Sequence, residues 1–158
     1  MPTPDFVLDL RERIGNDLLW MTGVTALVLD PSRTRMLAVR RADDGRWTPV
    51  TGIVDPGEEP ARAAVREVAE ESGIAATALR LVDVRVLPEI SYPNGDRAQY
   101  LDLCFLCEAD ADQEPHPADG ENTAAQWFPL DALPPMNDRF RDNLAFALED
   151  RPEARFRR

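Results

Sequence analysis

Glu67, Glu70 and Glu71 stand at i, i+3 and i+4, with Glu58 upstream and Arg66 immediately before the first of them. On a helix, at about 100° per residue, the three carboxylates crowd one face. Like charges at that spacing destabilise a helix by roughly a few tenths of a kcal/mol per pair. A bound cation reverses the sign. Carboxylate oxygens are hard ligands, and Mg²⁺ commonly takes one or two of them together with waters and phosphate oxygens. Mg²⁺ is therefore the expected cofactor, with Mn²⁺ the second candidate. Such ions lower the pKa of bound water and neutralise the non-bridging oxygens of a diphosphate, so the chemistry indicated is cleavage of a phosphoanhydride by water. Arg66 precedes Glu70 by four residues, a spacing at which its guanidinium braces that carboxylate, and it is expected to orient ligands instead of binding phosphate.

The element that must hold these groups is a helix over about 59–72. Pro60 suits its first turn, Gly73 can take the left-handed conformation that ends it, and Asp55-Pro56-Gly57 before it reads as a turn. Ala61, Val65, Val68 and Ala69 are expected to pack, leaving the acidic side open.

Gly52, five residues, Glu58, seven residues, then Arg66-Glu67-Val68-Ala69-Glu70-Glu71-Ser72-Gly73-Ile74 resembles the Nudix box at every fixed position. The resemblance implies an α/β fold, an α/β/α sandwich with a mixed β-sheet in which the box forms a loop-helix-loop holding divalent ions. It implies that Glu67, Glu70 and Glu71 are metal ligands, that Glu58 adds a ligand or a hydrogen bond, and that Gly52 belongs to the same set. Family members differ over the general base. Besides Glu67 and Glu70, one common arrangement uses a glutamate in a loop well after the box, and Glu121 in Asp119-Gly120-Glu121-Asn122 occupies a comparable place. Many members carry Pro-Gly-Gly where this chain has Val50-Thr51-Gly52, which leaves the ligands intact but weakens any transfer of substrate detail.

Composition bounds the alternatives. At 158 residues the chain is expected to hold one domain over 18–150, between an extension at 1–17 and a tail at 151–158. A net charge of −11 disfavours long nucleic acid as a partner, although a metal site can still capture a nucleotide locally. All 18 basic residues are arginine, which excludes lysine nucleophiles and Schiff-base chemistry. The amino terminus lacks the pattern of a signal peptide, and the apolar run over 18–29 is too short to span a bilayer, so no membrane partner is expected and the cytoplasm is the default location. Cys104 and Cys107 fall within a strand pattern that points them to opposite faces, which favours buried thiols over a zinc site. His116, between two prolines, is expected at the surface.

Strands are expected at about 20–30, 35–41, 46–53, 79–88, 97–107 and 125–128, with turns at 30–33, 43–45 and 91–96. Residues 5–14 read as an amphipathic helix that packs either on the domain or on a second copy in a homodimer. Residues 136–149 read as a closing helix that packs through Phe140, Leu144 and Leu148. The acidic, proline-rich stretch at 108–122 reads as a mobile loop able to close over a site. The tail is expected to fray.

Arg40, Arg41, Trp47 and Tyr92 are the candidate substrate contacts, the arginines for phosphate and the aromatics for a base. Downstream markers do not choose a substrate: Pro88 lies near a proline of ADP-ribose hydrolases, Tyr92 near a tyrosine of diadenosine polyphosphate hydrolases. The leading expectation is hydrolysis of a nucleoside diphosphate linked to another group, of ADP-ribose or nucleotide-sugar type. The alternatives are MutT-like cleavage of nucleoside triphosphates and a nucleotide-sensing module without turnover.

Overall fold

The structure, a computed structural model, describes residues 3–149 and 151–158; the expected domain edge at residue 150 lies outside them, as do Met1 and Pro2. Along the chain run α1 (Asp5–Ile14), β1 (Leu18–Leu29), β2 (Arg35–Arg41), β3 (Trp47–Thr48), β4 (Val50–Ile53), α2 (Pro60–Ser72), β5 (Thr77–Val86), β6 (Ile90–Ser91), β7 (Arg97–Glu108), β8 (Asn122–Pro129), a 3₁₀ turn (Leu130–Ala132) and α3 (Asp138–Leu148). The strands form one mixed sheet. At its centre β1 runs parallel to β7 in unbroken register from Leu18↔Arg97 to Leu29↔Glu108. β4 pairs antiparallel with the middle of β1, β5 flanks β7, and β2 carries β3 and β8.

Helices cover both faces, as the α/β/α expectation requires. Along β1, Val24, Ala26 and Val28 point to one side and pack with Ala63, Ala64 and Val68 of α2. Leu27 and Leu29 point to the other and pack with Leu144 and Ala147 of α3. This is the period-two alternation of a strand buried on both faces. Cys107 lies in the first layer and Cys104 in the second, both as free thiols, and burial raises the pKa of each. Of the two placements open to α1, the chain uses its own domain: Val7 packs with Met21 and Ala98, and Arg11 donates to the carbonyls of Gly15, Asp17 and Arg97.

Several expectations are corrected by the packing. The strand expected at 46–53 is two strands with different partners, because the chain leaves β2 after Thr48 and joins β1 at Val50; Pro49 between them has no N–H to lend to either ladder. In α3 it is Ala147, not Leu148, that completes the packed face with Phe140 and Leu144, while Leu148 is exposed. The 108–122 stretch is no free-standing lid. His116 N–H donates to Ser72 O at 3.0 Å, the Gln113 side chain bonds both N–H and C=O of Ala75, and Trp127 Nε1 donates to Gln113 O. The His116 ring itself is exposed, as expected, and lies over Gly73, whose φ of 69° and lack of a β-carbon leave it room.

The tail does not fray either. Arg155 N–H donates to Val82 O, extending the outer edge of β5, and Arg157 grips the buried carboxylate of Asp83 through Nε (3.1 Å) and Nη2 (2.9 Å). A buried acid recruits that cation. Among the described residues no helix is long and apolar enough to cross a membrane.

Candidate active site

The site grows from three local features. Asp55 O accepts from Glu58 N–H in a turn that Gly57 completes at φ 84°, and this sets Glu58 beside the start of α2. Pro60 opens α2, and Gly73 closes it in the left-handed conformation with its N–H on Ala69 O. Gly52, in β4, faces α2, and the carboxyl group of Glu67 occupies the space that a β-carbon on Gly52 would fill.

That contact overturns the expected division of α2 into an apolar packed side and an open acidic side. Ala63, Ala64, Glu67, Val68, Glu71 and Ser72 are the buried residues of the helix, whereas Ala69 and Glu70 are exposed. Glu67 is 0% exposed and Glu71 6%. Two carboxylates enter the interface because a glycine admits one and an amide receives the other: Asn122 Nδ2 donates to Glu71 Oε2 at 2.8 Å.

Arg66 gathers the remaining acids. Its Nε and Nη2 donate to the two oxygens of Glu58, each at 2.9 Å, a bidentate pair. Nη1 donates to Glu67 Oε1 at 3.0 Å and to Glu70 Oε2 at 3.1 Å, and Nη2 also reaches Ile53 O at 3.2 Å. One guanidinium thus ties the loop, β4 and α2 together. The brace to Glu70 is present as expected, but the stronger engagement is with Glu58, across eight residues. Among the described residues no three Asp, Glu, His or Cys side chains converge on a common point as a ready-made cage.

Electrostatics follow from this packing. The Arg66 hydrogen bonds hold Glu58 below its ordinary pKa. Burial pushes Glu67 up to about 7 against the pull of Arg66. Glu71 also rises to about 7, through burial and the charges of Glu67 and Asp119, opposed by the Asn122 hydrogen bond. Glu67 Oε2 is buried without a hydrogen-bond partner. A desolvated carboxylate that packs against a glycine and keeps one oxygen unpartnered is costly as it stands and suits a hard divalent cation.

The other expected residues divide by sheet face. Val39 lies in the α2-side layer, so Arg41 shares that side; it pairs with Asp43, and the negative charge of Glu71 helps raise its pKa. Arg40 and its register partner Trp47 lie on the opposite side, where Trp47 meets Phe128 edge to face at 4.8 Å. Tyr92 sits in the β6–β7 turn with its hydroxyl 3.1 Å from that of Tyr100. The structure brings Arg41 toward the carboxylates and keeps Arg40 and Trp47 away from them. Glu121 is exposed in the bend just before β8, with its N–H on Asp119 Oδ1 and its carbonyl accepting from Ala42 N–H. Asp119 lines an open cleft with Asp55, Pro56, Arg66 and Glu70.

Asn122 was missed, although it directly follows Glu121. The signal was its position: β8 begins at Asn122, three residues before the expected strand, and its side chain faces inward.

The profile of the NUDIX domain matches residues 20–148. The chain is 33% identical to a MutT-like protein of Streptomyces ambofaciens, over 63% of this chain and 58% of that protein. It is also 33% identical to Nudix hydrolase 6 of Arabidopsis thaliana, over 80% of this chain and 45% of that one. It therefore spans about half the length of these curated relatives. A crystal structure described as an ADP-ribose pyrophosphatase from Streptococcus suis superposes with a TM-score of 0.65 at 25% identity, covering 87% of this chain and 98% of the other. With its box folded as loop, helix and loop against a mixed sheet, this chain belongs to the NUDIX domain family.

Proposed function

We propose that the chain is a Mg²⁺-dependent pyrophosphohydrolase that cleaves the diphosphate of a nucleoside diphosphate linked to another group, of ADP-ribose or nucleotide-sugar type. The observation that carries the reading is the buried Glu67 carboxyl group, packed against Gly52 with its Oε2 left without a hydrogen-bond partner and sharing one guanidinium with Glu58 and Glu70. The likeness to the ADP-ribose pyrophosphatase favours that substrate class.

Glu58, Glu67, Glu70 and Glu71, with Gly52 beside them, are the groups that would hold Mg²⁺ or, in its place, Mn²⁺. A hard divalent cation there supplies Lewis acidity toward the diphosphate oxygens and the attacking water. Arg66 fixes the rotamers of three of these acids, so the site is organised before substrate arrives. Asn122 holds Glu71 through one oxygen. Glu121 is assigned as the base that takes the proton of water, since its chain neighbour Asn122 is bonded to Glu71 and the cleft residue Asp119 lies two positions away. Glu67 and Glu70 are the other candidates for that role. Arg41, on the α2 side of the sheet, is the arginine proposed to exchange its Asp43 partner for phosphate charge.

The MutT-like relative supports a second reading, release of pyrophosphate from nucleoside triphosphates. Mass analysis of products across nucleoside diphosphate-X compounds, triphosphates and dinucleoside polyphosphates separates the two. A nucleoside monophosphate plus a phosphorylated partner is the expected outcome. Pyrophosphate release favours the second reading, and nucleotide binding without turnover marks a sensor.

A further inference from the structure

We infer that Trp20 is the platform on which the substrate's nucleobase stacks; the inference deepens the hydrolytic reading and rests on it. Trp20 shares a sheet face with the carboxylates. In β1, side chains at 20, 22 and 24 point the same way, and Val24 packs in the α2-side layer. Gly52, the cradle of Glu67, is the register partner of Val24. Between Val24 and Trp20 the face presents only Thr22 on this strand, and the carbonyl of Thr22 is tied to Val54 N–H at 3.1 Å, where the box loop begins. Four residues of strand separate Trp20 from Val24, about 13 Å at the usual rise. That is the reach of an extended nucleoside diphosphate from base to far phosphate.

The ring is available. Trp20 is 52% exposed in a strand that is buried from Gly23 onward, and Leu101 of β7, the register partner of Thr22, and Val86 of β5 beyond it extend an apolar floor on the same face. The aromatics singled out from the sequence do not compete, since Trp47 is committed to Phe128 on the other face and Tyr92 to Tyr100. Trp127, on the carboxylate side, donates its indole N–H to Gln113 O beneath the 108–122 segment. A flat indole accepts any base by stacking, so the platform sets affinity for nucleosides as a class; Gln99, the register partner of Trp20, stands beside it with its side-chain N–H on Leu87 O at 3.1 Å.

The test is calorimetric titration of AMP and of base-free ribose 5-phosphate, with Mg²⁺, into the wild type, Trp20→Ala and Trp20→Phe. Expected is a loss of AMP affinity of about tenfold or more in Trp20→Ala, recovered in Trp20→Phe, with ribose 5-phosphate unchanged. In turnover, Trp20→Ala raises KM for a nucleotide sugar by a similar factor and leaves kcat within about twofold. Unchanged AMP affinity, equal weakening of both ligands, or absence of AMP binding to the wild type overturns the platform. So does sedimentation showing that Trp20→Ala converts a dimer to a monomer, which makes the face a contact between copies. AMP binding through Trp20 without hydrolysis of any diphosphate instead sinks the hydrolytic reading alone.

Discussion

The carboxyl group of Glu67 stands where a β-carbon on Gly52 would be. Glycine at this position is therefore a statement about space, since β4 and α2 approach closely enough that only hydrogen admits the acid. Gly52→Ala should displace the carboxylate by about an ångström or more and lower kcat/KM on the order of 100-fold. Steady-state kinetics beside a melting curve checks it. Activity near wild type in the alanine variant would show that the position of Glu67 is immaterial.

Arg66 makes five hydrogen bonds to three acids and one carbonyl, so its removal frees Glu58, Glu67 and Glu70 together. Arg66→Ala and Arg66→Lys should both lose about 10- to 100-fold in activity, because an ammonium cannot reproduce the bidentate fork. The expected signature is a rise in the divalent-ion concentration needed for half-maximal rate. An Arg66→Lys enzyme with unaltered metal dependence contradicts the role.

Glu67 and Glu71 are lifted by burial to about 7, above the ordinary glutamate value of about 4.3 that applies in the unfolded chain. Between these limits the folded, metal-free protein binds more protons than the unfolded one, so its stability falls as pH rises and levels off above about 7. Thermal melts in chelator from pH 5 to 8 should show this decline, with a smaller slope in Glu67→Gln. A divalent cation must displace those protons, so its stabilisation should grow over the same window. Melts independent of pH would contradict the burial of both acids as protonated groups.

At the β1–β2 turn the sign is the opposite. Asp30 is buried, which raises its pKa, but hydrogen bonds from Ser32, Thr34 and the N–H groups of Thr34 and Arg35 outweigh that and hold it at about 2. Its contribution is present above about pH 4 and is lost as pH falls through 2. Asp30→Asn should cost on the order of 2 kcal/mol near neutrality, read from denaturant unfolding, and the penalty should vanish in acid.

The tail offers a further check. Arg157→Ala leaves Asp83 buried with Arg85 as its remaining cation, 3.3 Å away, and should cost about 2 kcal/mol. Added to Asp83→Asn the same change should cost much less. Equal penalties in the two backgrounds would show that the pair is uncoupled.

What the sequence made legible was what depends on local spacing. The α2 limits, the Arg66 to Glu70 brace, the opposite faces of Cys104 and Cys107, and the turn at 55–58 all follow from period and turn chemistry within a few residues. What escaped depends on partners distant in the chain. A helical wheel shows that Glu67 and Glu71 share a side, but only the approach of Gly52 and Asn122 reveals that this side is buried. Likewise the acidic loop and the arginine tail are polar segments whose anchors, Ser72, Ala75 and Asp83, lie far away in sequence. Arg40 and Trp47 lie before the box in sequence, yet strand parity sends them to the other face.

The most direct test is the fate of ADP-ribose in ¹⁸O-labelled water with Mg²⁺, followed by mass spectrometry for the wild type and Glu67→Gln. Expected are AMP and ribose 5-phosphate, one of them carrying a single ¹⁸O, with the rate reduced at least about 100-fold in the variant. Intact ADP-ribose with the wild type, across the nucleotide-sugar panel as well, or an undiminished rate in Glu67→Gln, would contradict the assignment of hydrolysis to these carboxylates.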